Sequence, residues 1–279
     1  MLLNTYFSTR TKVAALISLP LSFLFASLSF AETGASCISM KATGNSEYPP
    51  FLWRADQKSN ILLGANQYIF DELSYRLGIK IDLMHTGPWS RAQLEVKSGR
   101  VDLMAGAFYT NERTEYMDYL PPAFLYTTSV IWQRTAQNMN FHQKEDLIGM
   151  RGVTVINNSF GQTFDDFSAR ELNVLSVASL SQAFKMLSAK RVDYAVYEKA
   201  PGMAYLDLLG MEGEVEPISP PISSEGLFLT LSKKSPCNTP AMKQKIAAIL
   251  KSMKDEGFNE RALEKGIEQW QKFVSATGH

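Results

Sequence analysis

The fold is decided by residues 68–105, YIFDELSYRLGIKIDLMHTGPWSRAQLEVKSGRVDLMA. Apolar spacing in this stretch predicts, in order, a helix over Tyr68–Leu77, a strand over Ile79–Leu83, a helix over Arg91–Lys97 and a strand over Val101–Ala105. Gly78 and Gly99 stop the two helices. Together with a strand predicted at Ile38–Ala42, this β-α-β-α-β order predicts a mainly parallel sheet with helices on both faces.

A second α/β series follows an extended segment, Thr127–Gln133. Its pattern predicts alternating strands and helices at Thr154–Ile156, Gly161–Arg170, Val174–Val177, Ser179–Ala189, Asp193–Tyr197 and Ala200–Leu209. The Pro-rich passage Pro217–Pro221 follows, and after it come a last strand, Gly226–Leu231, and two C-terminal helices. Two such series joined near residues 130 and 225 predict two lobes, two crossings and an interlobe cleft, where ligands bind in open α/β sheets.

The charge balance excludes one class of partner. The chain has 279 residues, with 28 basic and 28 acidic side chains. No basic excess is available to neutralise a run of phosphates, so we expect no nucleic-acid binding.

The N-terminus predicts export. Arg10 and Lys12 precede an apolar run over Val13–Phe30 that Pro20 interrupts, and Ser29-Phe30-Ala31 places small residues where a signal peptidase cuts. A membrane anchor is the competing interpretation, because the run approaches spanning length. The pattern favours a cleavable signal peptide over residues 1–31 and a periplasmic mature protein.

Two cysteines, Cys37 and Cys237, remain after that cleavage. An oxidising compartment favours a disulfide between them. Two separate buried thiols are the alternative.

The ordered motifs of the mature chain resemble those of the extracellular solute-binding proteins of family 3, the amino-acid-binding type. They are Glu47-Tyr48-Pro49-Pro50-Phe51, Pro88-Trp89-Ser90-Arg91-Ala92, Gly99-Arg100-Val101-Asp102-Leu103, Thr110-Asn111-Glu112-Arg113, Leu147-Ile148-Gly149 leading to Asn158-Ser159-Phe160-Gly161, and Arg191-Val192-Asp193-Tyr194-Ala195-Val196-Tyr197-Glu198. The resemblance covers about Ile38 to Phe273 and marks a divergent branch. It implies the α/β, two-lobed periplasmic-binding-protein fold (type II), with lobe 1 formed by residues 32–130 and 227–279 and lobe 2 by 131–226. Both cysteines then lie in lobe 1, where a bridge leaves the hinge free.

The resemblance places a carboxylate clamp at Arg113 and Thr110. Thr110 is a predicted N-cap, and a guanidinium can hold a carboxylate through two parallel hydrogen bonds. Gly106 permits close backbone approach to a ligand, whereas Phe108 makes the predicted site narrower or more apolar. A helix cap followed by a solvent-facing arginine is the alternative for this segment.

Aromatic residues near the clamp are candidates for ligand contact. Tyr48, Phe51 and Trp53 lie in a predicted loop after the first strand, and Trp89 opens a helix. In these Pro- and Gly-rich contexts burial in the core is less automatic, and Trp53 is the weaker candidate. Arg91 is either a second anion clamp or a surface residue.

Lobe 2 contributes the turn Asn158–Gly161 and Glu198. The backbone N–H groups of that turn, at Asn158, Ser159 and Phe160, are predicted to face an anion, with an ordinary N-cap at Ser159 as the alternative. Glu198 stands where the family carries an acid that pairs with the ligand's ammonium group. A solvated glutamate before a helix is the alternative.

These residues predict reversible capture of an amino acid or related small carboxylate for an ABC-type importer. A sensory or orphan binding protein is the first alternative, and a dehydratase-like enzyme on the same fold is the second. Catalysis is not expected, because of the three histidines only His85 can approach the cleft. No metal-spaced His/Cys cluster or phosphate-binding glycine loop occurs, so no metal or cofactor is expected.

Overall fold

A computed structural model describes residues 1–3, 5, 7, 37–56 and 58–277. The predicted signal peptide lies almost wholly outside these residues. The strands are β1 (Ser39–Thr43), β2 (Glu47–Tyr48), β3 (Leu52–Arg54), β4 (Leu62–Leu63), β5 (Lys80–Leu83), β6 (Leu103–Ala107), β7 (Met117–Arg134), β8 (Arg151–Val155), β9 (Asn173–Val177), β10 (Tyr194–Glu198) and β11 (Val215–Ser232). The helices are α1 (Ala65–Leu77), α2 (Trp89–Ser98), α3 (Asn111–Thr114), α4 (Gln162–Glu171), α5 (Leu180–Ser188), α6 (Lys199–Leu209), α7 (Pro240–Asp255) and α8 (Phe258–Thr277).

The predicted helix stops are confirmed. Gly78 follows α1 with φ 68° and Gly99 follows α2 with φ 80°. Each N–H bonds back to the last turn of its helix, and this left-handed conformation costs glycine little because it has no Cβ.

Eight strands form one mixed sheet in the order β5-β1-β6-β11-β7-β10-β8-β9. The outer pairs β1/β5, β1/β6, β10/β8 and β8/β9 are parallel, as the alternating pattern predicts. The β11/β7 pair at the centre is antiparallel. We call β5, β1 and β6 with α1–α3, α7 and α8 the β6 side, and β10, β8 and β9 with α4–α6 the β10 side.

Two 18-residue strands, β7 and β11, connect the two sides. Tyr126–Ser129 pairs with Ser223–Gly226 midway along them, near the predicted crossings. The last strand is predicted to begin at Gly226, after the Pro-rich passage, but β11 begins at Val215 and includes Pro217–Pro221. The ladder shifts register between Ile218 and Ser223, and this irregularity lets prolines lie within a strand without breaking a regular run of hydrogen bonds.

A small antiparallel sheet, β2-β3-β4, replaces the loop predicted around Tyr48 and Trp53. Pro49 and Pro50 occupy the tight turn, where the Phe51 N–H donates to the Tyr48 carbonyl at 2.9 Å. The sequence does not predict these strands, because each has only two or three residues, too few to show alternation of apolar and polar side chains.

The predicted disulfide joins Cys37 to Cys237, with Cα atoms 5.1 Å apart. It links the chain just before β1 to the segment between β11 and α7. The bridge therefore lies on the β6 side alone.

Within the described residues, no helix is both long and apolar enough to cross a membrane. The division into lobes at residues 131 and 227 stays a prediction.

Candidate functional site

A cavity lies between the β6 side and the β10 side. It is lined by Asn45, Tyr48, Leu52, Asn66, Trp89, Ala105, Gly106, Ala107, Phe108, Arg113, Asn158, Glu198 and Leu227. Most come from the carboxyl ends of β1 and β6 and the segments that follow them, while Asn158 and Glu198 follow or end β8 and β10. The sheet therefore brings one basic and one acidic side chain to the same enclosure.

Arg113 is buried in the short helix α3, with 5% of its surface exposed. Thr110 caps this helix as predicted, because its Oγ1 accepts from the Arg113 backbone N–H at 3.2 Å. The Arg113 side chain donates from Nη1 to the Phe108 carbonyl at 3.1 Å and lies 5.4 Å from the centre of the Trp89 ring. The guanidinium is thus held in place, and the alternative of a solvent-facing arginine is wrong.

Glu198 is the acidic counterpart of Arg113 and is only 2% exposed, so the alternative of a solvated glutamate is wrong. Burial raises its pKa from 4.5 to about 7, while hydrogen bonds and the Arg113 charge act in the opposite direction. Asn158 Nδ2 donates to Glu198 Oε2 at 3.3 Å. The Tyr48 hydroxyl faces the same carboxyl, and burial together with that negative charge raises the Tyr48 pKa.

Two polar atoms at the cavity lack a hydrogen-bond partner among the described residues. They are Asn66 Oδ1 and the Tyr48 hydroxyl oxygen, both buried. Asn66 is held in place by its Nδ2, which donates to the Ala105 carbonyl at 2.8 Å. Gly106, with φ 101°, lies beside it, and a Cβ there would come within 3.4 Å of Asn66 Nδ2. An unpaired buried acceptor is costly, so this wall suits a ligand that donates hydrogen bonds.

In the turn over Asn158–Gly161, the N–H groups of Asn158, Phe160 and Gly161 already bond within the chain. The Phe160 N–H donates to Asp165 Oδ1 at 2.9 Å, and Ser159 Oγ donates to Asp165 Oδ2. Asp165 in the first turn of α4 thus supplies the chain's own carboxylate at the predicted anion position. Its place just inside a helix start is the signal that could have shown this.

Four candidate contacts lie away from the cavity. Phe51 packs in the main core. Phe160 packs against Phe164, with ring centres 5.9 Å apart. The side chain of Arg91 is 55% exposed and pairs with Glu95 at 2.6 Å, which makes it a surface residue. Trp53 is also buried elsewhere, in an edge-to-face contact with Trp270.

A second, polar cavity adjoins the first. Arg113 and Asn158 line both cavities, whereas Thr110 and Ser159 line only the second. The structure therefore gathers Tyr48, Trp89, Gly106, Phe108, Arg113, Asn158 and Glu198 at the inner cavity, and it places Thr110 and Ser159 outside it.

Asn45, Asn66 and Leu227 are inner-cavity residues that the sequence did not reveal. Asn45 follows the carboxyl end of β1, where the general rule for α/β sheets could have found it. Nothing in the sequence around Asn66 or Leu227 indicates a binding site, because each looks like an ordinary residue of a helix or strand. No group of three metal-ligating side chains occurs in the described part of the chain, and His85 lines neither cavity.

Comparison with known proteins agrees with this fold. The model of the bacterial extracellular solute-binding proteins, family 3, matches residues 40–269. The L-cystine-binding protein TcyA of Bacillus subtilis (strain 168) is 24% identical over 164 residues, which span 58% of this chain and 58% of that protein. AbpA of Streptococcus pneumoniae, an amino acid ABC transporter substrate-binding protein bound to L-arginine, has a TM-score of 0.67 at 14% identity and covers 84% of this chain and 96% of its own.

A histidine kinase sensor domain with similarity to periplasmic binding proteins has a TM-score of 0.68 at 20% identity. That likeness covers 82% of this chain and 96% of the sensor domain. At these identities the solved structures show a shared fold and do not identify a ligand.

Proposed function

The chain belongs to the bacterial extracellular solute-binding proteins of family 3, and we propose that its ligand is a free α-amino acid, bound reversibly in the inner cavity. One observation carries the proposal: buried Arg113 and buried Glu198 line the same cavity from the two sides of the cleft. A zwitterion is the small solute whose two charges match such a pair.

Arg113 binds the ligand's carboxylate in this proposal. Its guanidinium is oriented by Phe108 and Trp89 and retains N–H groups beyond those already bonded, so it can donate to both carboxylate oxygens. The ammonium group lies toward Glu198, Asn66 Oδ1 and the Tyr48 hydroxyl. A cation there relieves the burial cost of the Glu198 carboxylate and gives Asn66 Oδ1 a donor.

Relatives support the amino-acid class. TcyA is named for binding L-cystine, and AbpA is a structure with L-arginine. AbpA is also described as part of an amino acid ABC transporter, which favours a membrane permease as the partner of this protein. With the predicted signal peptide over residues 1–31, we place the mature protein in the periplasm.

The β6 side and the β10 side act as the two lobes of this proposal, with residues 32–130 and 227–279 in one and 131–226 in the other. Hinge bending at Tyr126–Ser129 and Ser223–Gly226 admits the ligand, because these paired segments are the middle of the two strands that join the sides.

Titration calorimetry against the free L-amino acids tests this function. The parent should bind at least one of them. Arg113→Ala should weaken that binding by about 2–5 kcal/mol or about 30- to 4,000-fold, because it leaves a desolvated carboxylate unpaired. Arg91→Ala is the matched control and should bind like the parent, since Arg91 is an exposed residue paired with Glu95. Parental affinity in Arg113→Ala would refute the clamp.

Sensing without transport is a second candidate, supported by the fold shared with a histidine kinase sensor domain. Both functions require the same binding step, and reconstitution with a candidate permease separates them. Chemical conversion of the ligand is not part of either function. After prolonged incubation with the protein, mass spectrometry should recover the amino acid unchanged.

A further inference from the structure

One backbone carbonyl receives three hydrogen bonds across the cleft. Asn157, between β8 and α4 on the β10 side, accepts from Trp89 Nε1 at 3.1 Å, Gln93 Nε2 at 3.2 Å and Arg113 Nη2 at 3.0 Å. All three donors belong to α2 and α3 on the β6 side. A carbonyl oxygen has two lone pairs, so the three donors, one of them charged, share its acceptor capacity and leave none of it unused.

The local backbone aims this carbonyl. Asn157 has φ 59°, in the left-handed region that asparagine tolerates better than other residues with a side chain. Its side chain is exposed, so the residue acts through its main chain. A neighbouring contact crosses the cleft in the same place, where the Asn111 N–H donates to Gln162 Oε1 at 2.9 Å.

Arg113 is held from both sides as a result. Nη1 bonds to the Phe108 carbonyl on its own side, and Nη2 bonds to the Asn157 carbonyl on the other. When the two sides move apart, the second bond is lost. Gln93 lines the outer cavity and not the inner one, so its amide reaches the Asn157 carbonyl without lining the proposed ligand site.

We propose that the Asn157 carbonyl is the acceptor on which the two sides of the cleft close. Trp89 and Gln93 are positioning residues that hold this carbonyl, so that closing the cleft gives the Arg113 guanidinium its second hydrogen bond. The assignment of Arg113 as the ligand's clamp rests on the proposed function. The closure contact itself does not, and it can be measured in the protein without any ligand.

Solvent exchange of the Trp89 indole N–H reports this contact directly. The chain has four tryptophans, and the Trp89 indole signal in a ¹H–¹⁵N spectrum is assigned by its loss in Trp89→Phe. In the parent this proton should be protected. Gln93→Leu should speed its exchange about three- to tenfold, because one of the bonds that hold the sides together is removed. The indole of Trp132 in β7, which donates to the Tyr197 carbonyl in the neighbouring strand β10, is the internal control and should not change.

Two variants of Asn157 distinguish the effect of its backbone conformation on Trp89 exchange from the effect of losing its side chain. Asn157→Ala and Asn157→Gly remove the same exposed side chain, but only glycine takes the left-handed conformation without penalty. We expect about tenfold faster Trp89 exchange in Asn157→Ala and near-parental exchange in Asn157→Gly. Ser90→Ala, on the same helix as Gln93 and also beside the outer cavity, should behave like the parent.

The outcomes distinguish the two proposals. If the Trp89 indole N–H exchanged at the same rate in the parent, Gln93→Leu and Asn157→Ala, the proposed role of the Asn157 carbonyl would be overturned, whether or not an amino acid binds. Protection that falls in these two variants and is kept in Asn157→Gly supports it. Failure of the parent to bind any amino acid in calorimetry would remove the proposed function and leave the exchange result standing.

Discussion

Glu198 is the residue whose charge state matters most at the inner cavity. The unfolded chain releases this proton near the ordinary pKa of 4.5, whereas the folded protein keeps it until about pH 7. Between these values the folded state binds more protons than the unfolded state. The free energy of unfolding therefore falls as the pH rises through this window.

Glu198→Gln removes this pH dependence, because the amide is always neutral and similar in shape. At about pH 4 both proteins carry a neutral group there, while at about pH 8 only the parent buries a charge. The stability of the variant relative to the parent should thus rise by on the order of 3 kcal/mol over this range, from about 1.4 kcal/mol per unit of pKa shift. Urea unfolding without ligand, at several pH values, measures it.

Other buried acids titrate in both proteins and cancel from the comparison. Burial also raises the pKa of Glu47, Asp165 and Glu225. A difference between variant and parent that stays constant with pH would mean that the Glu198 carboxyl titrates like an exposed one.

At the scale of elements, α6 packs against β7 through a glycine. Gly202 is buried in the helix, and a Cβ at this position would lie 2.1 Å from Trp132 Cζ2. Trp132 is fully buried, and its indole N–H donates to the Tyr197 carbonyl, so the ring cannot move aside easily. The close approach of helix and sheet here requires glycine.

Gly202→Ala should lower the stability by about 2 kcal/mol, because overpacking outweighs the helix propensity that alanine usually adds. The comparison with Trp132→Leu is the sharper measurement. In that background the same alanine should be neutral or stabilising, since the leucine leaves room for a Cβ. An equal cost of Gly202→Ala in both backgrounds, measured by chemical denaturation, would contradict the packing argument.

For the whole molecule, the Cys37–Cys237 bridge closes a loop across 200 positions of the chain. Such a long loop loses much conformational freedom in the unfolded state when it is cross-linked. The bridge ties the segment before α7 to the beginning of β1, on the β6 side only. It therefore stabilises the protein without crossing between the two sides of the sheet.

Replacing both cysteines with serine should lower the free energy of unfolding by about 2–5 kcal/mol and the midpoint of thermal unfolding by about 5–15 °C. Ligand affinity at low temperature should stay within about twofold of the parent, because neither cysteine lines the inner cavity. Reductant should shift the midpoint of the parent and not that of the double variant. An equal shift in both would mean that the bridge is not the cause.

Local pattern in the sequence determined the elements and their order. Helical and strand spacing reports which residues of one segment share a face, and this located α1, α2, β6, α5 and β10 to within a few residues. Motif order indicated Arg113 and Glu198, and both lie at the inner cavity because each stands at or just beyond the end of a strand. The disulfide needed no pattern, since the chain has only two cysteines.

Tertiary structure alone decided what meets across the cleft. Trp89, Gln93 and Arg113 all donate to the Asn157 carbonyl, and each lies at least 44 positions from Asn157 in the chain. No rule of sequence spacing relates residues that far apart. Phe51 and Phe160 pack into cores because distant side chains surround their rings, not because of their own segments. Periodicity encodes burial within an element, whereas a site is made by side chains and carbonyls that only the packing of several elements brings into contact.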